Sequence, residues 1–200
     1  HPVRMGRAKK QGFDIQDTLY HGSPNSDIKT FDTNKTGQST DSGYYGKGTY
    51  FTNKPKAASA YATGIYDQLD KGSINPTVYP VLVNKGSVKK LTKDESNPLG
   101  FGVMINNMKK DYIKKNLDFD IDKKPVDVDL PQQSFDDFFK SLDSSMVESG
   151  VVTNSTPEKV QDILDEDKGD FLKRVGYSGV ETSPNIAGYK EVVMYDTSKV

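Results

Sequence analysis

The spacing of apolar and polar positions changes several times along the chain, and each change marks an element. Residues 5–17 read as a short polar helix ending near Gly12, after which Thr18 to His21 begin a strand that Gly22-Ser23-Pro24-Asn25 interrupts. Residues 33–48 are rich in Gly, Ser, Thr and Asp, and Thr49-Tyr50-Phe51-Thr52 then reads as a short strand. Asn53 is placed as an N-cap with Pro55 just inside a helix. The apolar residues Ala58, Tyr61, Ala62, Ile65 and Leu69 recur at helical spacing, so that helix packs one face inward. Val78 to Val83 form a compact strand between Pro76 and Asn84-Lys85-Gly86.

From residue 94 to 175 the pattern is amphipathic, near 102–117, 134–147 and 157–175, with acidic, Pro-containing connectors. This predicts a mostly helical insertion spanning about 90–175 within a single domain of 200 residues. Strands return at Gly176-Tyr177-Ser178-Gly179-Val180-Glu181 and, after a Ser-Pro-Asn turn, at Glu191-Val192-Val193-Met194-Tyr195. The chain begins without Met and stops just after that apolar run, which points to a segment of a longer polypeptide.

Composition narrows the chemistry. Zero cysteines exclude thiol catalysis and thiolate metal sites, and two histidines, His1 and His21, exclude a multi-histidine zinc site. No stretch approaches the length of apolar sequence that crosses a bilayer, so a soluble, cytoplasmic protein is expected. The net charge of -1 hides an uneven spread: residues 1–110 are net +7, 111–170 net -9 and 171–200 net +1. Gly43-Tyr44-Tyr45-Gly46-Lys47-Gly48-Thr49 is not a phosphate loop, which needs Gly at 41 and Ser or Thr at 48, where Asp41 and Gly48 stand. Asp118, Asp120 and Asp122 fail as a calcium loop because Lys123 replaces the turn glycine and Asp129 the last glutamate.

One constellation remains. His21-Gly22-Ser23 follows a strand; Gly46-Lys47-Gly48-Thr49-Tyr50-Phe51 leads into another; Tyr61 follows Tyr50 by 11 residues on the next helix; and Lys190-Glu191-Val192-Val193-Met194-Tyr195-Asp196 closes the chain. Order and spacing resemble the His-Tyr-Glu class of ADP-ribosyltransferases, shared by diphtheria toxin and the poly(ADP-ribose) polymerases. In style, including Ala8-Lys9-Lys10-Gln11-Gly12-Phe13-Asp14 before the first strand, the chain looks most like transferase domains of phage or bacterial polyvalent proteins. The likeness covers roughly 17–86 and 171–200 and leaves the acidic middle without a counterpart.

The resemblance implies an α+β fold, with two facing antiparallel sheets around an NAD cleft. It implies a mono-ADP-ribosyltransferase, a toxin or effector, that uses NAD as substrate and no metal. By carry-over, Glu191, His21 and Tyr50 are catalytic. His21, Gly22, Ser23, Tyr50 and Tyr61 bind NAD: the Gly22 backbone takes the nicotinamide amide, Tyr50 and Tyr61 give ring faces, and His21 bonds the adenosine ribose with Ser23 beside it. Ala58 stands where the family often has Ser, which removes a supporting nicotinamide contact, and Ala57 stands where its polymerases carry Lys, which favours single transfer over chain growth. The chemistry fits these residue types, because loss of cationic nicotinamide leaves an oxocarbenium-like ribose that a carboxylate and aromatic faces stabilise. The acceptor is expected to be macromolecular, protein rather than nucleic acid. NAD glycohydrolase and a non-catalytic interaction domain are the alternatives.

Overall fold

The computed structural model describes residues 2–24, 26–32, 43–63, 75–117 and 157–200. Helix α1 (Pro2–Lys10) is followed by strands β1 (Leu19–Ser23) and β2 (Thr49–Thr52), helix α2 (Pro55–Ala62), and strands β3 (Thr77–Val81) and β4 (Val88–Lys90). Helices α3 (Pro98–Leu117), α4 (Pro157–Asp165) and α5 (Lys168–Arg174) precede strands β5 (Gly179–Glu181) and β6 (Glu191–Met194). A 3₁₀ turn (Thr197–Lys199) ends the series. No helix among the described residues is long and apolar enough to cross a membrane.

The α+β class expected from the sequence is present. In place of two separate sheets, the described strands form one six-stranded sheet in the order β3-β1-β2-β6-β5-β4. Its two halves meet at a narrow seam: β1 and β2 share a single register pair, Tyr20 opposite Thr52, whereas β1 and β3 pair over five residues. All neighbours are antiparallel except β4 and β5, and β4 was not read from the sequence because its three residues carry no alternation.

Two compact units divide the chain: His1–Phe101 with Asp167–Val200, and Gly102–Glu166. The first holds the sheet. Its core joins Leu19, Phe51, Val83, Val192 and Met194, with Phe31, Val81 and Val88 packed at the edge. In the second, Lys109 of α3 is buried and bonds the carbonyls of Leu164 and Glu166, which close the last turn of α4 and the residue after it. A lysine at the C-terminal carbonyls of a helix satisfies acceptors the helix cannot satisfy itself. The segment 134–147, expected to be helical, lies outside the described residues, as do Ile65 and Leu69.

Several expected boundaries shift. Helix α1 begins at Pro2 rather than near residue 5 and stops at Lys10, with Gly12 at φ +84° reversing the chain. Strand β1 runs through Gly22 and Ser23, because β3 pairs with both and supplies the bonds that a turn would have lacked. Helix α2 has Lys54, not Asn53, at its N-cap, without a side-chain capping bond. Asn53 faces another part of the chain.

Candidate active site

Cross-strand partners share a face of a sheet and side chains alternate along each strand. Thr52 pairs with Glu191 and Tyr50 with Val193, so Tyr50, Thr52 and Glu191 lie on one face together with Tyr20. Helix α2 covers the β1 part of that face. A Cβ on Gly22 would stand 1.7 Å from the Ala58 carbonyl oxygen and 2.9 Å from the Ala62 nitrogen. Glycine at 22 is therefore required by the docking of α2, a reason the sequence reading, which tied it to substrate approach, did not contain. Ala58 and Ala62 are fully buried against β1, while Tyr61 stays 43% exposed at the helix edge. Its ring is open to a partner.

His21 belongs to the opposite alternation, with Leu19 and Ser23. Its Nδ1 lies 2.8 Å from the Tyr50 carbonyl oxygen. The imidazole fills the place where the β1–β2 ladder stops, and packs edge-on against Phe31 (5.1 Å between centroids) and beside Phe51 (5.7 Å). Burial among these rings lowers its pKa from 6.5, partly offset by the bond to Tyr50. The ring is thus neutral near pH 7, with its proton on Nδ1 and an acceptor lone pair on Nε2. Ser23 is buried beside β3.

The glycine-rich stretch 43–48 wraps the end of Tyr50. The Tyr50 hydroxyl donates to the Gly46 carbonyl (3.0 Å) and accepts from the Tyr45 amide (3.1 Å). A Cβ on Gly43, at φ +69°, would meet that hydroxyl at 2.0 Å. These glycines serve a tyrosine rather than a phosphate. Beneath them Tyr195 donates to the Tyr45 carbonyl (2.7 Å), and the Tyr45 hydroxyl donates to the Ser96 carbonyl (2.8 Å). Burial and the nearby charge of Glu191 push the Tyr45 phenol up to about 12.

At β6 the Glu191 carboxylate accepts a 2.7 Å hydrogen bond on Oε1 from the Tyr189 hydroxyl. Tyr61 of α2 is near enough to Tyr189 to help raise its pKa, which places that helix beside the hydroxyl that bonds the carboxylate. Burial first, then the bond to Glu191 and its charge, raise the Tyr189 pKa far above 10, which keeps it a donor. Lys190 turns the other way and bonds Asp17 and Glu181, both at 2.7 Å.

The structure thus gathers Tyr50, Tyr61 and Glu191 around one face, with Gly22 beneath α2, and sets His21 at the seam. Tyr189 and Tyr45 were not singled out from the sequence. Tyr189 lies two residues before β6 begins, so strand alternation does not announce it. A cavity of about 480 Å³ lined by Ala8, Phe13, Phe31, Val81 and Val200 includes none of these residues. Among the described residues no group of three or more His, Cys, Asp or Glu is placed to hold a metal ion.

Comparison with curated proteins and with solved structures gives no match. Comparison with protein families gives one, described as ADP-ribosyltransferase in polyvalent proteins, over residues 16–199. That span contains every element from β1 to the final turn, and the chain therefore belongs to the ADP-ribosyltransferase family of polyvalent proteins.

Proposed function

We propose that this chain is a mono-ADP-ribosyltransferase of the His-Tyr-Glu class, transferring ADP-ribose from NAD to a macromolecular acceptor within a longer polypeptide. The observation that carries this reading is Glu191 on the same face as Tyr50, one strand away, with the exposed Tyr61 ring near the Tyr189 hydroxyl that bonds that carboxylate. Tyr50 and Tyr61 present faces to the nicotinamide ring, whose positive charge favours aromatic contact. The His21 Nε2 lone pair accepts from a hydroxyl of the adenosine ribose. The Gly22 backbone and Ser23 lie beside it at the end of β1.

In the reaction the C1′–N bond of the nicotinamide ribose breaks, and its electron pair leaves on neutral nicotinamide. The Glu191 carboxylate accepts from a hydroxyl of that ribose and stabilises the positive charge developing at C1′. The acceptor nucleophile then forms the new bond at C1′ and gives up its proton. With Ala57 on α2 in place of the Lys that polymerases of the family carry, chain growth is not supported, and one ADP-ribose is added per site. The acceptor is protein: residues 111–170 carry a net charge of -9, and such a segment repels the phosphate backbone of nucleic acids.

Incubation with labelled NAD and a whole lysate, followed by protease or nuclease digestion, tests this reading. Label released by protease and absent with Glu191→Gln supports it. Free ADP-ribose without labelled macromolecule replaces transfer by glycohydrolase action. Label released by nuclease corrects the acceptor, and no nicotinamide release at all overturns the enzymatic reading.

A further inference from the structure

We propose that Asn53 and Tyr189 form a clamp that fixes the Glu191 carboxylate in one orientation, with Tyr189 a positioning residue for the transfer reaction. The inference rests on the role given to Glu191 above and extends it to residues with no part in the family motifs quoted for this chain.

Asn53 leaves β2 one residue after Thr52. Its Nδ2 donates to the Gly188 carbonyl (2.8 Å), its Oδ1 accepts from the Lys190 amide (3.0 Å), and its own amide donates to the Lys190 carbonyl (3.4 Å). These bonds fall on either side of Tyr189. Asn185 adds two more: its Oδ1 accepts from the Tyr189 amide (3.0 Å) and its amide donates to the Tyr189 carbonyl (2.9 Å). Gly188 at φ +68° lets the chain make the turn. The backbone of Tyr189 is therefore held from both sides, and its side chain has a fixed origin.

From there the hydroxyl reaches Oε1 of Glu191. The Glu191 backbone is held separately, its amide donating to Thr182 Oγ1 (2.9 Å) and its carbonyl accepting from the Thr182 amide (2.9 Å). A glutamate has three side-chain torsions, and anchoring one carboxylate oxygen removes most of that freedom. Oε1 is taken by Tyr189, which leaves Oε2 to accept the ribose hydroxyl. A carboxylate oriented before substrate arrives needs no reorganisation as charge develops.

The test uses the whole chain and steady-state nicotinamide release from NAD. Tyr189→Phe keeps the ring and removes the donor. The expected result is a kcat lower by roughly 10- to 100-fold, the loss typical of a hydrogen bond to a charged group, with KM for NAD within about twofold. In a Glu191→Gln background Tyr189→Phe is expected to cost less than about threefold, because the oriented charge is already gone. Asn53→Ala is expected to lower kcat as well, and to add little to Tyr189→Phe. Wild-type kcat in Tyr189→Phe, full additivity with Glu191→Gln, or a KM rise at unchanged kcat overturns the clamp alone. A wild-type chain that releases no nicotinamide overturns the role of Glu191 and the clamp together, and is recognised before any variant is compared.

Discussion

The Nδ1 of His21 stands 2.8 Å from the carbonyl oxygen of Tyr50, at the point where β1 and β2 cease to pair. One side of the imidazole thereby does a structural task, bonding a backbone carbonyl of the neighbouring strand. The other nitrogen is left with a lone pair. Under the proposed function this histidine couples the shape of the seam to ligand recognition, and substitution can separate the two.

Asparagine places its Nδ2 near the position of an imidazole Nδ1 and has nothing at Nε2. His21→Asn is therefore expected to keep the bond to Tyr50 and melt close to wild type, while NAD affinity by calorimetry falls about tenfold or more. His21→Phe keeps apolar volume beside Phe31 and Phe51 but removes the hydrogen bond to the Tyr50 carbonyl, at a cost of about 1 kcal/mol in stability. Two variants that lose stability equally and bind NAD alike would reduce His21 to a packing residue.

Because burial lowers the His21 pKa below 6.5, the neutral form is favoured by folding. Its contribution is fully present above pH 6.5 and is lost as pH falls through the depressed folded value. Urea melts of wild type and His21→Asn, close at pH 7, are expected to diverge toward pH 5 with the wild type losing more stability, since only the wild type must protonate a buried ring. Parallel curves would place the imidazole in water.

The order of β1, β2, α2 and β6 was legible in the sequence because short apolar runs there meet strong punctuation: Pro24, Pro55 and the Ser-Pro-Asn turn. Strand β4 was not, since its pairing with β5 is a tertiary choice that three residues cannot announce. The same holds for Asn53. Next to Pro55 it carries the local signature of a cap, and local chemistry is all a sequence displays; its actual partners, Gly188 and Lys190, are more than 130 residues away. Glu191 and Tyr61 were singled out through the family resemblance, whereas Tyr189, whose hydroxyl bonds Glu191, precedes β6 and carries no such signal.

Gly22→Ala tests the packing reason for that glycine. The added methyl meets the backbone of α2 at Ala58, which has no flexible end to move aside, so α2 must lift from β1. A loss of about 1–3 kcal/mol is expected from overpacking, and NAD binding should weaken with it because Tyr61 rides on the same helix. Gly102→Ala is the control: nothing lies within 4 Å of its added methyl in α3, and stability is expected to rise by about 0.5–1 kcal/mol. A Gly22→Ala melt unchanged from wild type would show that α2 is not seated on Gly22.

Tyr61→Phe and Tyr61→Ala separate ring from hydroxyl. Phe keeps the exposed face and is expected to bind NAD within about twofold of wild type, while Ala loses on the order of 1 kcal/mol of affinity. The Phe variant also removes the hydroxyl beside Tyr189, so its kcat should fall by a few fold even though binding holds. Equal affinity of Phe and Ala by calorimetry would make Tyr61 a bystander.

The start of β6 is also held from the face opposite Glu191. Asp17, Lys85, Glu181 and Lys190 alternate in charge around a closed square with N–O distances of 2.7 to 3.0 Å and side chains 12–28% exposed. Burial pushes the carboxyl pKa values of Asp17 and Glu181 upward, but hydrogen bonds and charges from Lys190 and Lys85 outweigh it, so both end below their ordinary values. Burial likewise disfavours charge on Lys190, and its two acids outweigh that and raise it. For the acids, the stabilisation is full above the unfolded values of 3.8 and 4.5 and is lost as pH falls through the lower folded ones. For Lys190 it is full below 10.5 and is lost only at more alkaline pH. Lys190→Met keeps the stem and leaves Lys85 facing two acids, a partial break of a partly buried network worth about 2 kcal/mol at pH 7. Urea melts should show that deficit at pH 7 and 5 and a much smaller one at pH 3, where protonation removes the advantage from the wild type as well. A deficit that persists undiminished at pH 3 would assign it to packing of the lysine stem instead of to the charges.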